Sequence, residues 1–149
     1  MHDVVVVSLG TPVLVGVYCD GAIIEEIRKE GMSSDVLAEI FESLLERYPI
    51  DRLLYAKGPG SFMGIKVAYL FLKTLSITKK IPLLATDAFF FNENGPIKAV
   101  GKLYFVKNST AIILEPLESP DVRPFALPQR IDHHYFDTDN LPDYGIGAV

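Results

Sequence analysis

Tryptophan is absent from this chain and cysteine occurs once, at Cys19. A lone thiol excludes an internal disulfide and a cysteine-built zinc cluster. Its place just before a hairpin turn suits a structural role better than a nucleophilic one. Histidine is scarce too, at His2, His133 and His134. No two of these stand one helical turn apart, the spacing of a metal-binding helix, and the neighbours His133 and His134 are expected to point in different directions. The sequence assembles no Ser-His-Asp set, so neither catalytic nor metal-binding residues are assigned. Basic residues are outnumbered, 14 against 19 acidic ones, for a net charge of −5. That balance argues against a protein that grips nucleic acid unaided. No basic segment precedes a signal-length apolar stretch, and no run approaches the roughly 20 residues of a membrane span. A cytoplasmic location without membrane contact is expected.

The chain does have enough apolar material, 49% of 149 residues, to bury the core of one domain or of a domain with an appendage. Val4 to Val7, Val13 to Tyr18 and Ala22 to Ile27 read as strands, with Asp20-Gly21 as a two-residue hairpin turn between the last two. Ser33 or Ser34 caps a helix that runs to about Tyr48, Pro49 breaks it, and Leu53 to Ala56 returns to the sheet. A second helix from Ser61 to about Thr78 leads to a strand at Ile81 to Ala85. Strand, helix and strand of these lengths predict a right-handed parallel crossover. The predicted order is βββαβαβ.

Between the fourth strand and the second helix stands Gly58-Pro59-Gly60-Ser61-Phe62-Met63-Gly64. Glycine supplies backbone angles that a Cβ forbids, Pro59 fixes its own φ, and Ser61 is placed to cap the helix. Two readings follow. Amides at a helix start attract a phosphate, or the corner is simply a tight turn packing helix on sheet. The phosphate-binding Walker pattern requires Lys-Ser/Thr directly after its last glycine, where this chain has Ile65-Lys66-Val67.

The run from Lys57 to Lys66 resembles the Gly-Pro-Gly-Ser-Phe-Thr-Gly-hydrophobic-Arg segment of the TsaB (YeaZ) family, with Met63 and Lys66 in place of Thr and Arg. The resemblance extends over residues 3 to 107. It implies an α/β fold of the actin-like ATPase, ribonuclease-H-like class: a mixed-sheet lobe over residues 1–95 and a reduced second lobe with a tail over 96–149. It also implies a noncatalytic subunit that pairs with a TsaD-like enzyme in tRNA threonylcarbamoyladenosine formation, with a TsaE-like ATPase as a further partner, tRNA reached only through the complex, and self-pairing when alone. No cofactor is expected on this chain by itself, and ATP or Mg²⁺ only at a partner or subunit boundary. Nucleotide-binding members of the superfamily carry an acidic residue after the first strand, whereas this chain reads Ser8-Leu9-Gly10-Thr11-Pro12. A hydroxyl does not supply the charge that holds Mg²⁺ against phosphate. The alternatives are an ATP-using phosphotransferase or degenerate peptidase of the same superfamily, and a stand-alone homodimer with a changed role.

Both helices carry surplus apolar surface. The first places Val36, Leu37, Ile40, Phe41, Leu44, Leu45 and Tyr48 over half its circumference, wider than the roughly 100° stripe that faces one core. The second has two apolar arcs, one of Gly64, Ile65, Ala68, Phe71, Leu72 and Leu75, the other of Met63, Val67, Leu70 and Ile77. Periodicity does not say which arc faces inward. The resemblance implies that these helices carry the partner interface, for which Leu37, Phe41, Leu45, Ile65, Tyr69 and Leu72 are the candidates.

Farther along, Phe89-Phe90-Phe91 is either a stacking platform or a plug, and the lack of neighbouring basic residues favours the plug. Val100 to Val106 and Ala111 to Leu114 form a candidate hairpin. Prolines 116, 120, 124 and 128 then predict an extended tail. Pro142-Asp143-Tyr144-Gly145 reads as a docking tail or as a disordered terminus.

Overall fold

The computed structural model describes residues 1–31 and 33–145, apart from the side chain of Ser33. The capping role expected of Ser33 therefore lies outside the described residues, as do positions 146–149 of the tail. The chain runs β1 (His2–Val7), β2 (Val13–Cys19), β3 (Ala22–Lys29), α1 (Ser33–Arg47), β4 (Ile50–Ala56), α2 (Phe62–Lys79) and β5 (Leu83–Thr86). This is the predicted βββαβαβ order. These five strands form one sheet in the order β3-β2-β1-β4-β5. The first three are antiparallel neighbours, while β4 runs parallel to both β1 and β5. Asp20 and Gly21 turn the β2–β3 hairpin, both with positive φ (50° and 86°), the turn that matches the twist of the flanking strands. No helix among the described residues is long and apolar enough to cross a membrane.

Strand β1 lies in the middle of the sheet and reads as an unbroken valine run because both of its faces are buried. Val4 and Val6, with Leu53 and Tyr55, meet α1 and α2 in one core. Val5 and Val7, with Leu54 and Ala56, enter a second core on the opposite face. That second face is covered without long helices. A 3-10 turn at Ala88–Phe91 leads into β6 (Ile97–Lys98), β7 (Leu103–Lys107) and β8 (Ile112–Pro116), a three-stranded antiparallel sheet in the order β6-β7-β8. Phe89 and Phe91 are buried in that core, as a plug requires. Phe90 packs on Phe136 with ring centroids 5.4 Å apart.

The segment after β8, for which the prolines predict an extended tail, forms no helix or strand over residues 117–128 and packs back on the protein. It crosses the second face of the large sheet: Ala22 pairs with Arg130 on one side and Ala85 with Asp137 on the other. Leu127, Ile131 and Phe136 drop into the same core as Ile97 and Phe105. Tyr18 donates its hydroxyl to the Pro128 carbonyl at 2.6 Å, and burial raises its pKa. Ile97, Phe105, Leu127, Ile131 and Phe136 thus complete the core on that face of the five-stranded sheet. Nor is Pro142 to Gly145 a loose terminus; it lies against the glycine corner.

Candidate functional site

The glycine corner is a junction of three segments. Ser61 caps α2, its Oγ accepting from the Gly64 amide at 3.3 Å. Its own amide donates to the Leu9 carbonyl at 2.9 Å, and the Ile65 amide returns to the Ser61 carbonyl at 3.0 Å. The loop after β1 and the start of α2 are therefore held together. A Cβ on Gly64 would stand 2.6 Å from the Ser8 carbonyl oxygen, so only glycine permits that approach. Gly58 adopts φ of +123°, and a Cβ there would run into the carbonyl of Asp143.

The third segment is the C-terminal one. The Asp143 amide donates to the Lys57 carbonyl at 2.8 Å, and Lys57 Nζ donates to the Asp139 carbonyl at 3.1 Å. Asn140 donates its side-chain amide to the Leu83 carbonyl at 2.9 Å and accepts from the Tyr55 hydroxyl through its main-chain oxygen. Burial raises the Tyr55 pKa, which keeps that hydroxyl a donor. The Tyr144 ring meets Phe62 edge-on at 5.2 Å. Within the motif Gly58, Pro59, Gly60, Ser61, Phe62 and Gly64, the contacts of Gly58, Ser61, Phe62 and Gly64 bring together the end of β4, the start of α2, the loop after β1 and residues 139–145. The amides of Ser61, Gly64 and Ile65 have protein acceptors. The Pro-Asp-Tyr-Gly string was visible in the sequence; its destination was not.

Other carboxylates have partners of their own. Asp3 forms a two-point pair with Arg52, at 2.7 and 3.1 Å. Asp20 binds the N-terminal amine at 2.9 Å. Asp87 accepts from the Phe89 amide at 2.9 Å and pairs with Lys107 at 2.5 Å. His2 packs on Tyr48. His133 and His134 depart from expectation, because a 3-10 turn over His133–Tyr135 brings their rings to 4.1 Å with an interplanar angle of 34°.

The six interface candidates need sorting. Leu37, Phe41, Ile65 and Leu72 are buried; Leu37, Phe41 and Leu72 sit in the core beneath the helices, and Ile65 joins the opposite core at the corner. Leu45 and Tyr69 are partly exposed. The inward arc of α2 is the one holding Ala68 and Leu72, since a small residue next to a leucine fits closely against the sheet. The other arc faces outward: Met63 is 68% exposed, Leu70 54% and Ile77 67%. These three residues recur every seven positions, so they form one line along the helix. Beside them a groove of about 490 Å³ runs along α2, lined by Val67, Leu70, Phe71, Thr74, Leu75 and Thr78 with Ser34 from the start of α1. The exposed apolar line of α2 is therefore the arc away from the buried Ile65 and Leu72.

Neither a protein-family model nor a curated protein matches the chain. Its structure matches that of YeaZ from Pseudomonas aeruginosa with a TM-score of 0.60 and 16% sequence identity, over 85% of this chain and 70% of that one. It also matches an uncharacterized protein described as similar to the peptidase YeaZ from Pseudomonas aeruginosa, with a TM-score of 0.56 and 16% identity, over 85% of this chain and 69% of that one. The fold is that of the YeaZ neighbours, an actin-like, ribonuclease-H-like lobe.

Proposed function

We propose that the chain is a noncatalytic accessory subunit of the TsaB type, which binds a TsaD-like enzyme and holds it in its active arrangement for tRNA threonylcarbamoyladenosine formation. The observation that carries this reading is the outward line of Met63, Leu70 and Ile77 on α2, flanked by the apolar groove along that helix. Such a surface loses water-exposed apolar area when a helix layer of another protein covers it. The corner residues that the resemblance singles out contribute by fixing where α2 begins, and hence the direction in which its outer arc faces. The subunit acts by binding one state of its partner more tightly than another, which shifts the partner toward that state. The chemistry belongs to the partner. The same surface accounts for self-pairing in the partner's absence, because the line of apolar residues is then the patch that remains exposed.

The test is a threonylcarbamoyl-transfer assay on the TsaD-like enzyme of the same cell, with and without this chain, alongside light-scattering mass. A defined complex and subunit-dependent transfer are expected. Unchanged activity with no complex would overturn the reading. Mg²⁺-ATP binding by the chain alone, lost on altering Gly60 or Ser8, would favour the phosphotransferase alternative.

A further inference from the structure

We propose that Asp132, His133 and His134 form a binding site for one divalent transition-metal ion of the zinc and nickel class, on the turn where the C-terminal segment crosses the sheet. One ligand atom from each of the three residues lies within 4.8 Å of the other two. Both imidazoles present Nδ1 to the same carboxylate oxygen: Asp132 Oδ1 is 2.6 Å from His134 Nδ1 and 4.0 Å from His133 Nδ1. Neighbouring residues usually diverge, but here the rings stack at 4.1 Å. Two imidazoles and a carboxylate are the donor set of borderline-soft divalent ions rather than of Mg²⁺ or Ca²⁺.

The turn is held from both ends. The Ile131 amide donates to the Gly21 carbonyl at 2.8 Å, and Asp137 exchanges two main-chain hydrogen bonds with Ala85, at 2.7 and 2.9 Å. Phe136 anchors it in the core against Phe90 and Phe91. Solvent reaches the donors, since the Asp132 and His134 side chains are 55% and 78% exposed, so water can fill the remaining coordination positions. In the bound form the neutral His134 carries its proton on Nε2, which leaves the Nδ1 lone pair and Asp132 Oδ1 to face the ion in place of each other. Donors around a tetrahedral ion at about 2.0–2.2 Å stand roughly 3.3–3.5 Å apart. The closer pair must therefore open by less than about 1 Å, and the His133 ring must swing in toward the other two donors. The bound ion pins the crossing between its two sheet anchors. This inference is independent of the proposed partner.

The test is calorimetric titration of the chelator-stripped full chain with Zn²⁺ and with Ni²⁺, beside a synthetic peptide spanning Ile131 to Asp137. One ion per chain is expected, bound at least tenfold more tightly than by the peptide. His133→Ala and His134→Ala should each weaken binding at least tenfold, while Cys19→Ser and His2→Ala leave it unchanged. Both histidines of the turn are on the surface, and circular dichroism of their variants should match the parent. No uptake, equal affinity for the peptide, or binding insensitive to both histidine variants would overturn the proposal. Loss of binding in Cys19→Ser or His2→Ala would place the ion elsewhere and would equally overturn it.

Discussion

The two faces of the central sheet are covered in different ways. On one, α1 and α2 lie as regular helices whose inner arcs fill the core and whose outer arc on α2 still offers Met63, Leu70 and Ile77 to solvent. On the other, a 3-10 turn, a small sheet and a strap of irregular chain close over Val5, Val7 and Leu54. Both layers expose apolar side chains, among them Val100, Val122, Tyr135 and Leu141 on the strap side, but on α2 Met63, Leu70 and Ile77 recur every seven residues and so form one line.

Removing a ring from each layer measures the contrast in stability. Phe41→Ala, under the helices, should cost about 4 kcal/mol, and Phe136→Ala, under the strap, about 3 kcal/mol; urea unfolding reads both. A loss below about 1 kcal/mol for Phe136→Ala would mean that the strap covers the face without contributing to the core. Gly58→Ala forces a Cβ into the Asp143 carbonyl at a positive φ and should cost about 2 kcal/mol. Its signature is faster hydrogen exchange at residues 137–145 with α1 unaffected.

A smaller effect belongs to the helical side. Arg47 and Tyr48 both donate to Glu25, and chiefly the Arg47 hydrogen bonds hold its carboxyl down at about 2. A depressed carboxyl pKa stabilises the fold fully above the unfolded value, near 4.5, and the contribution is lost as pH falls toward 2. With the pair partly open to solvent, that contribution is about 0.5–1 kcal/mol. Thermal unfolding of Glu25→Gln should therefore lie below the parent at pH 6 and converge with it near pH 2.

The same contrast explains what the sequence made legible. The valine runs, Asp20-Gly21, Pro49 and the two helical periods specify β1 to β5 and both helices, because each element follows from local pattern. The strap has no period to read: Leu127, Ile131 and Phe136 are buried by a path that only the completed sheet defines. The prolines there accordingly pointed to an extended tail but not to where it packs. At the corner, Gly58 announced an unusual backbone, but the Asp143 carbonyl that requires it is 85 positions away in the chain. On α2 both arcs were visible, yet helical periodicity is blind to which one meets the sheet. The interface candidates Leu37, Phe41, Ile65 and Leu72 accordingly fell on residues the core uses. For His133 and His134, the 3-10 turn imposes a convergence that a rule for regular elements does not anticipate.

The most direct test places charge on the outer arc alone. Leu70→Lys with Ile77→Lys alters residues more than half exposed, and urea unfolding should stay within about 0.5 kcal/mol of the parent. In light scattering of mixtures with the TsaD-like enzyme, the account predicts that the parent chain forms a complex and the double variant does not. A double variant that retains both its stability and its complex would contradict the assignment of this face to partners.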